Sequence, residues 1–200
     1  MPWKAGHKEE TRERILSAAA NAFRAHGVDN VGVAEVMEQA GLTHGGFYAH
    51  FKSKDELVTA ALQFAMEHSA TRRFAHPESG DPPGLLAIAK QYLRPDHVQR
   101  RANGCAIAAL STELGRAESP AKPEMAAAID GLRKLLLERA PGGSRGEREV
   151  QAAGTLAAMV GGIILARGME GGEDAERFLA NVKRFLGEAI GEDAPAAKPS

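Results

Sequence analysis

The sequence has little of several features that would point to particular classes of protein. It contains one cysteine, Cys105, so no internal disulfide can form and the chain suits a reducing compartment. Its formal net charge is -1, so it is not globally basic. The first residues show no signal-peptide pattern. The longest apolar run, residues 152–166, is interrupted by glycines and is shorter than the roughly 20 residues of a membrane span. These absences predict a soluble, cytoplasmic protein with no membrane partner.

The sequence also lacks the common patterns of catalytic and metal sites. Its seven histidines include no His-Glu-x-x-His spacing and no cysteine partner, so we expect no metal site and no cofactor. A nucleophile-elbow pattern is missing, and no glycine-rich phosphate loop follows a predicted strand. We therefore predict that the protein is not an enzyme.

What the sequence does have, in almost every segment, is helical periodicity. The apolar residues Ile15, Ala19 and Phe23 share one face of a helix predicted over residues 8–26, which Gly27 ends. A second, short helix over residues 33–40 ends at Gly41. Further helices are predicted at about residues 53–74, 85–93, 104–114, 124–140, 147–168 and 173–190. With one short helix between Gly41 and residue 53, this gives an all-α protein of about nine helices.

Residues 41–57 form the most informative segment. They predict the end of one helix, a tight turn, a short helix that Thr43 can cap through its hydroxyl, and a third helix opened by a capping box from Ser53 to Glu56. The short helix surrounds two aromatic residues of the buried type with polar side chains, namely Thr43, His44, Tyr48 and His50. A short polar helix presented by a helix-turn-helix is typical of proteins that read the major groove of DNA.

With these residues in place, residues 12–62 resemble the TetR/AcrR family of transcriptional regulators. The most specific part is residues 47–57, which read Phe-Tyr-Ala-His-Phe-Lys-Ser-Lys-Asp-Glu-Leu. The resemblance implies a three-helix, helix-turn-helix DNA-binding domain over residues 1–62. It also implies a helical ligand-binding and dimerisation domain over residues 63–190, where the likeness is architectural only. Residues 191–200, rich in alanine and proline, are predicted to be a disordered tail.

The resemblance also implies roles for individual residues in binding double-stranded DNA. Thr43, His44 and Gly45, with the surface around Gly46, lie at the tip of the recognition helix, where base edges and phosphates are met. Tyr48, His50 and Lys54 resemble the family's phosphate contacts. Two interpretations of the glycine pair stay open: either the missing side chains let the backbone approach DNA closely, or the short helix is soft and packed from behind. Ala49 stands where many members carry a second aromatic residue.

Charge alone does not explain DNA affinity in the N-terminal segment. Residues 1–60 hold seven Lys or Arg residues and eight Asp or Glu residues. Affinity would therefore depend on local placement, with Lys52 and Lys54 beside the recognition helix and a mobile basic start containing Lys4, His7 and Lys8. We interpret Arg12 and Arg14 as charges on a solvated helix face.

The C-terminal segment predicts a largely apolar pocket for an unknown small apolar or amphipathic ligand. Its candidate lining residues, chosen from apolar position, are Phe64, His68, Leu86, Tyr92, Cys105, Ile107, Leu110, Met125, Ile129 and Met159. Cys105 has two interpretations, a small buried residue or a thiol that senses oxidants or electrophiles. The first is the ordinary state of a free cysteine.

The last two predicted helices suggest half of an intermolecular four-helix bundle. Small residues recur every fourth position on the first helix, and the second has a wide apolar stripe. The candidate interface residues are Gly154, Ala158, Gly162, Ala166, Phe178, Val182 and Phe185. The alternative is that both stripes face only their own core.

Together these features predict a homodimeric repressor that a small ligand releases from a near-palindromic operator. The alternatives are an activator of the same family and a helical protein-interaction module.

Overall fold

The computed structural model describes residues 5–68, 82–116, 118–169 and 172–191. In these ranges the chain forms nine α-helices and one 3₁₀ helix and no strand, so the predicted all-α class is confirmed. The α-helices are α1 (Ala5–His26), α2 (Val33–Gln39), α3 (Lys54–Glu67), α4 (Leu85–Tyr92), α5 (Pro95–Gln99), α6 (Ala106–Arg116), α7 (Lys122–Arg139), α8 (Arg145–Gly168) and α9 (Gly172–Ile190), and the 3₁₀ helix is His44–Ala49. Lys4, the predicted helix over residues 69–74 and the predicted disordered tail over residues 192–200 lie outside the described residues.

The first three α-helices and the 3₁₀ helix form a unit that we call the head. Its core contains Phe23, Phe47 and Phe51, which are all nearly inaccessible to solvent. The rings of Phe47 and Phe51 stack with their centroids 5.8 Å apart. Burying one phenylalanine side chain contributes roughly 1.5–3 kcal/mol. The two aromatic residues therefore anchor the short helix to the head, as their buried type predicted.

Two glycines end the first two helices as predicted. Gly27 has a φ of 84° and Gly41 a φ of 67°, a left-handed conformation that glycine adopts without strain. The backbone N–H of Gly27 donates to the Phe23 carbonyl oxygen at 2.8 Å. These sharp ends let α2 fold back across α1 within a few residues.

Three details of the short helix and its neighbour differ from the prediction. The short helix is a 3₁₀ helix, and the Thr43 side chain makes no capping hydrogen bond to it. Two glycines in six residues weaken an α-helix by roughly 1 kcal/mol each, which favours the tighter, shorter form. The capping box of α3 is half formed: the Glu56 backbone N–H donates to Ser53 Oγ at 3.2 Å, while the Glu56 carboxylate accepts from the backbone N–H of Lys52.

Helices α4 to α9 form a second unit, which we call the body. Helix α8 runs through it and contacts α4, α5, α6, α7 and α9. Two features of the body were not predicted from the sequence: the short helix α5 and the capping box that opens α8. In that box Glu147 N–H donates to Ser144 Oγ and Ser144 N–H donates to the Glu147 carboxylate. The backbone N–H of Ser144 lowers the pKa of Glu147 by stabilising its charged form.

Helix α8 is longer than the apolar run that the sequence shows. It has 24 residues, and by length and composition it could cross a membrane. One third of its most apolar stretch is buried inside the protein. Core helices of soluble proteins share this length and composition, so one such helix is weak support for a membrane span.

Two sets of hydrogen bonds connect the head to the body. The backbone N–H groups of Val28 and Asp29, in the turn after α1, donate to the two Glu113 carboxylate oxygens at 3.0 and 2.8 Å. A Cβ at position 27 would lie 3.0 Å from the same carboxylate, so the glycine also makes room for it. Arg24 Nε donates to the Ala102 carbonyl oxygen at 2.6 Å. The expected domain boundary at residues 62 and 63 falls inside α3. Helix α3 also packs against α6 and α7, which makes it a third connection.

Candidate nucleic-acid interface

The 3₁₀ helix buries one face and presents the other to solvent. Phe47 points into the head, whereas Tyr48 is 69 % exposed, the second most exposed large hydrophobic side chain among the described residues. The rings of His44 and Tyr48 lie edge to face, with centroids 6.4 Å apart. A solvated aromatic residue beside a histidine offers two hydrogen-bonding groups at one convex surface. Both side chains therefore lie on the solvent-facing side of the short helix.

The seven predicted DNA contacts divide into two groups by exposure. Thr43, His44, Gly45 and Tyr48 are exposed, whereas Gly46, His50 and Lys54 are half-buried. A Cβ at position 45 would meet open space, but one at position 46 would contact Met37 at 3.7 Å and Thr43 at 3.8 Å. Gly45 thus leaves bare backbone on the outer surface, and Gly46 packs toward the head. The interpretation of close backbone approach therefore fits Gly45, and the interpretation of packing from behind fits Gly46.

His50 lies at the end of the 3₁₀ helix, where the positive charges of Lys8 and Arg12 act on it. Burial lowers the pKa of its imidazole, Lys8 and Arg12 lower it further, and Glu9 opposes them. The imidazole is therefore mainly neutral at pH 7. Its Nδ1 is buried and has no hydrogen-bond partner. The sequence placed His50 near Lys52 and Lys54, but it did not indicate that charged residues of α1 would also act on the pKa of His50.

Two arginines of α1 have roles that the sequence analysis missed. The Arg12 guanidinium lies over the Phe51 ring, 4.8 Å from its centroid, a cation–π arrangement that fixes a positive charge beside the 3₁₀ helix. Arg14 Nη2 donates to the Ala40 carbonyl oxygen at 2.6 Å and so caps the end of α2. Arg14 is exposed and Arg12 half-buried, so both lie on a solvated face as interpreted, but each also makes a specific contact. The spacing of four between Lys8 and Arg12 was the signal that they share a helix face.

The predicted ligand-lining residues do not share one environment. Six of them lie in the core of the body, namely Tyr92, Cys105, Ile107, Leu110, Met125 and Met159, and Leu86 and Ile129 are half-buried against it. Phe64 and His68 lie elsewhere, at the junction of head and body. Their rings stack 4.0 Å apart beside a groove with a volume of about 220 Å³.

Cys105 directly precedes α6 and is buried, as the first of its two interpretations requires. Its backbone N–H donates to His97 Nε2 at 3.1 Å. Because Nε2 accepts that bond, Nδ1 carries the ring proton and donates to the Tyr92 carbonyl oxygen at 2.8 Å. Burial lowers the pKa of His97, which keeps this bridging form neutral. Burial, with Cys105 close by, raises the pKa of the Tyr92 hydroxyl well above its usual value.

The predicted dimer residues need correction at two positions. Gly162 and Ala166 are buried within the chain's own core, and a Cβ at position 162 would lie 2.8 Å from a Leu93 methyl group. The alternative that the stripe faces its own core is right for these two. The outward stripe of α8 is shifted, because Val150, Gly154, Ala157 and Leu165 are exposed and Gly161 is half-exposed. On α9, Phe185 is 63 % exposed, while Phe178 and Val182 are half-buried, as is Ala158 on α8.

Within the described ranges, no three His, Cys, Asp or Glu side chains come together as metal ligands would. The exposed and cationic residues define a candidate interface that consists of the outer face of the 3₁₀ helix, the adjoining turn of α1 and the start of α3.

Comparisons with known proteins place this head in a family. The profile described as "Bacterial regulatory proteins, tetR family" matches residues 15–61. The transcriptional regulator TtgR of Pseudomonas putida is 40 % identical over 80 residues, which cover 39 % of this chain and 38 % of TtgR. The aligned segment thus spans less than two fifths of that relative.

Two longer matches cover the body as well. The transcriptional repressor NemR of Escherichia coli is 24 % identical over 189 residues, covering 90 % of this chain and 95 % of NemR. A crystal structure of a TetR transcriptional regulator from Chloroflexus aurantiacus superimposes with a TM-score of 0.74 at 26 % identity, covering 94 % of this chain and 98 % of that one. The resemblance to the TetR/AcrR family is confirmed, because the family model matches residues 15–61 and the chain as a whole superimposes on a TetR-family regulator. Regulators of this family are non-enzymatic, which agrees with the prediction for this chain.

Proposed function

We propose that the protein is a homodimeric, DNA-binding transcriptional repressor that a small molecule releases from its operator. The observation that carries this proposal is the outer face of the 3₁₀ helix, where exposed Tyr48 and His44 stand over a core of buried phenylalanines. The relative NemR is named a transcriptional repressor, which supports repression rather than activation of transcription.

In this proposal the contacts divide into positioning and reading. Thr43, His44 and the bare backbone of Gly45 face the base edges, which select sequence. Tyr48, His50 and Lys54 contact phosphates, which fix register without reading bases. Lys8 and Arg12 add positive charge on the adjoining turn of α1, so a near-neutral head still meets the DNA with a locally basic surface.

The apolar stripe on α8 and α9 supports dimerisation. Val150, Leu165 and Phe185 are each more than half exposed, and they are the most exposed large hydrophobic side chains of the body among the described residues. Small residues between them, Ala157 and Gly161, leave room for a helix of a second copy to approach closely. A dimer would place two heads on successive major grooves of a near-palindromic operator, about 34–36 Å apart.

Release requires the ligand to bind one arrangement of head and body better than the other. The three connections between the head and the body provide a route by which a bound ligand can move the head. Helix α3 of the head packs against α6 and α7 of the body, Glu113 holds the turn between α1 and α2, and Arg24 holds the loop before α6. A ligand that shifts α6 or the end of α3 would therefore move the recognition surface.

The test is selection of bound duplexes from a random pool, followed by titration of the best duplex and of a scrambled control at moderate salt. We expect the selected duplex to bind at least about 1000-fold more tightly than the scrambled one. Equal affinity for both would contradict the proposal. Tyr48→Ala, whose removal leaves the core untouched, should lose binding without loss of folding.

A further inference from the structure

A polar groove lies where the head meets the body. Its walls come from three elements: Ser17, Asn21 and Arg24 of α1, Phe64, Ala65 and His68 at the end of α3, and Asn103 of the loop before α6. Its volume of about 220 Å³ is enough for a small aromatic molecule. No acidic side chain is among these lining residues, so the groove carries the positive charge of one guanidinium.

That guanidinium has no counter-ion in the part of the chain that the structure describes. Arg24 is half-buried, and its hydrogen bonds go to two neutral acceptors, the Ala102 carbonyl oxygen and Asn21 Oδ1. Burial lowers the pKa of Arg24, the expected effect of taking a cation out of water without pairing it. Buried charges in proteins are usually paired, because an uncompensated one is costly.

The remaining walls offer complementary chemistry. Arg24 has five N–H donors, and only part of that set is used within the protein. The stacked rings of Phe64 and His68 give the groove an aromatic wall, and Ala65 lines it beside them. Ser17 and Asn103 contribute neutral polar groups at the rim. The groove therefore combines one cationic donor with one aromatic surface.

We propose that this groove binds a small aromatic carboxylate, whose carboxylate pairs with Arg24 and whose ring packs against Phe64 and His68. This inference rests on the proposed function, because it names the chemical class of the small molecule that would release the protein from its operator. It moves the effector site from the core of the body to the junction with the head. Its occupant would touch α1, α3 and the loop before α6 together, which are the elements that set the position of the head.

The experiment is calorimetric titration of the full-length protein, without DNA, with benzoate and with benzamide, its neutral counterpart of the same shape. We expect benzoate to bind with a dissociation constant of about 1 mM or tighter and benzamide at least about tenfold more weakly. Arg24→Gln should weaken benzoate binding by at least about tenfold. Arg116→Gln, which removes an exposed arginine of α6, is the matched control and should bind benzoate as the wild type does.

Because Arg24 also ties the head to the body, Arg24→Gln could lower stability. Ser17→Phe keeps Arg24 and fills the groove from α1, so it should abolish benzoate binding in a folded protein. Equal binding of benzoate and benzamide, or unchanged benzoate binding by Ser17→Phe, would overturn the proposal. The titration contains no DNA, so failure of the proposed regulator function leaves its result unaffected.

Discussion

The head and the body expose different kinds of side chain, although both are helical. The head buries Phe23, Phe47 and Phe51 and presents Tyr48, His44 and bare backbone at Gly45. The body presents Val150, Leu165 and Phe185, which have no hydrogen-bonding side chain at all. The first surface suits a hydrated, charged partner that is read by hydrogen bonds. The second suits a dry contact with another apolar surface.

The difference teaches where function can be assigned from local pattern. A hydrogen-bonding surface on a short helix depends on a few residues in fixed order, so a motif of about twenty residues describes it. An apolar stripe depends on which side of a long helix faces the core, and a rotation of one residue changes its members. The following predictions test this division, from the largest expected effect to the smallest.

Gly162→Leu should damage the fold itself. The new side chain would start 2.8 Å from a Leu93 methyl group in a closed part of the body. Overpacking of this kind lowers the free energy of unfolding by about 3 kcal/mol. Denaturant unfolding measures this value. A variant as stable as the wild type would show that position 162 faces outward after all.

Gly161→Leu should separate the dimer and leave the monomer folded. A Cβ at position 161 would meet nothing within 4 Å in the isolated chain, and leucine favours a helix over glycine by roughly 0.8 kcal/mol. We expect the helical content to be kept and the sedimentation coefficient to fall to that of a monomer. A variant that still sediments as a dimer would place the interface elsewhere.

Glu113→Ala should loosen the head from the body. It leaves two backbone N–H groups without their charged acceptor, which lowers the free energy of unfolding by about 2 kcal/mol. Hydrogen exchange at Val28 and Asp29 should speed up, and affinity for the selected duplex should fall. Glu138→Ala, on the exposed face of α7, is the control. Unchanged exchange at both amides would show that the carboxylate does not hold the turn.

Tyr48→Phe should weaken binding to all duplexes alike, by about fivefold, because it removes one hydrogen bond to a phosphate worth ~1 kcal/mol. His44→Ala should instead change the preferred sequence. Both are checked by repeating the selection from random duplexes. A changed preference in the tyrosine variant, or an unchanged one in the histidine variant, would reverse these roles.

Acidification should strengthen DNA binding modestly. His50 is mainly neutral in the free protein, because burial, Lys8 and Arg12 lower its pKa below 6.5. A phosphate beside the ring would raise that pKa, so binding takes up a proton and affinity rises as pH falls through the value in the complex. We expect about twofold tighter binding at pH 6.0 than at pH 8.0, the part of the threefold effect of half a pKa unit that is reached at pH 6.0. His50→Gln should remove this dependence, and His26→Gln, at the far end of α1, should keep it.

The sequence predicted the head well because its signals are local. Gly27 and Gly41 end helices through their own conformation, and the order of aromatic residues in 47–57 needs no distant partner. It predicted the body less well because the relevant contacts are distant in sequence. Leu93 decides that Gly162 is buried, and nothing near residue 162 reveals it. The role of Arg12 depends likewise on Phe51, 39 positions away in the chain.

The central claim is that a dimer places two heads on two half-sites. It is tested most directly by the arrangement of half-sites among duplexes selected by the wild type and by Gly161→Leu. The wild type should enrich two half-sites related by two-fold symmetry, with centres about 10 base pairs or a multiple of that apart. The variant should enrich a single half-site of the same sequence. Selection of no motif by the wild type, or of the same paired motif by a monomeric variant, would contradict it.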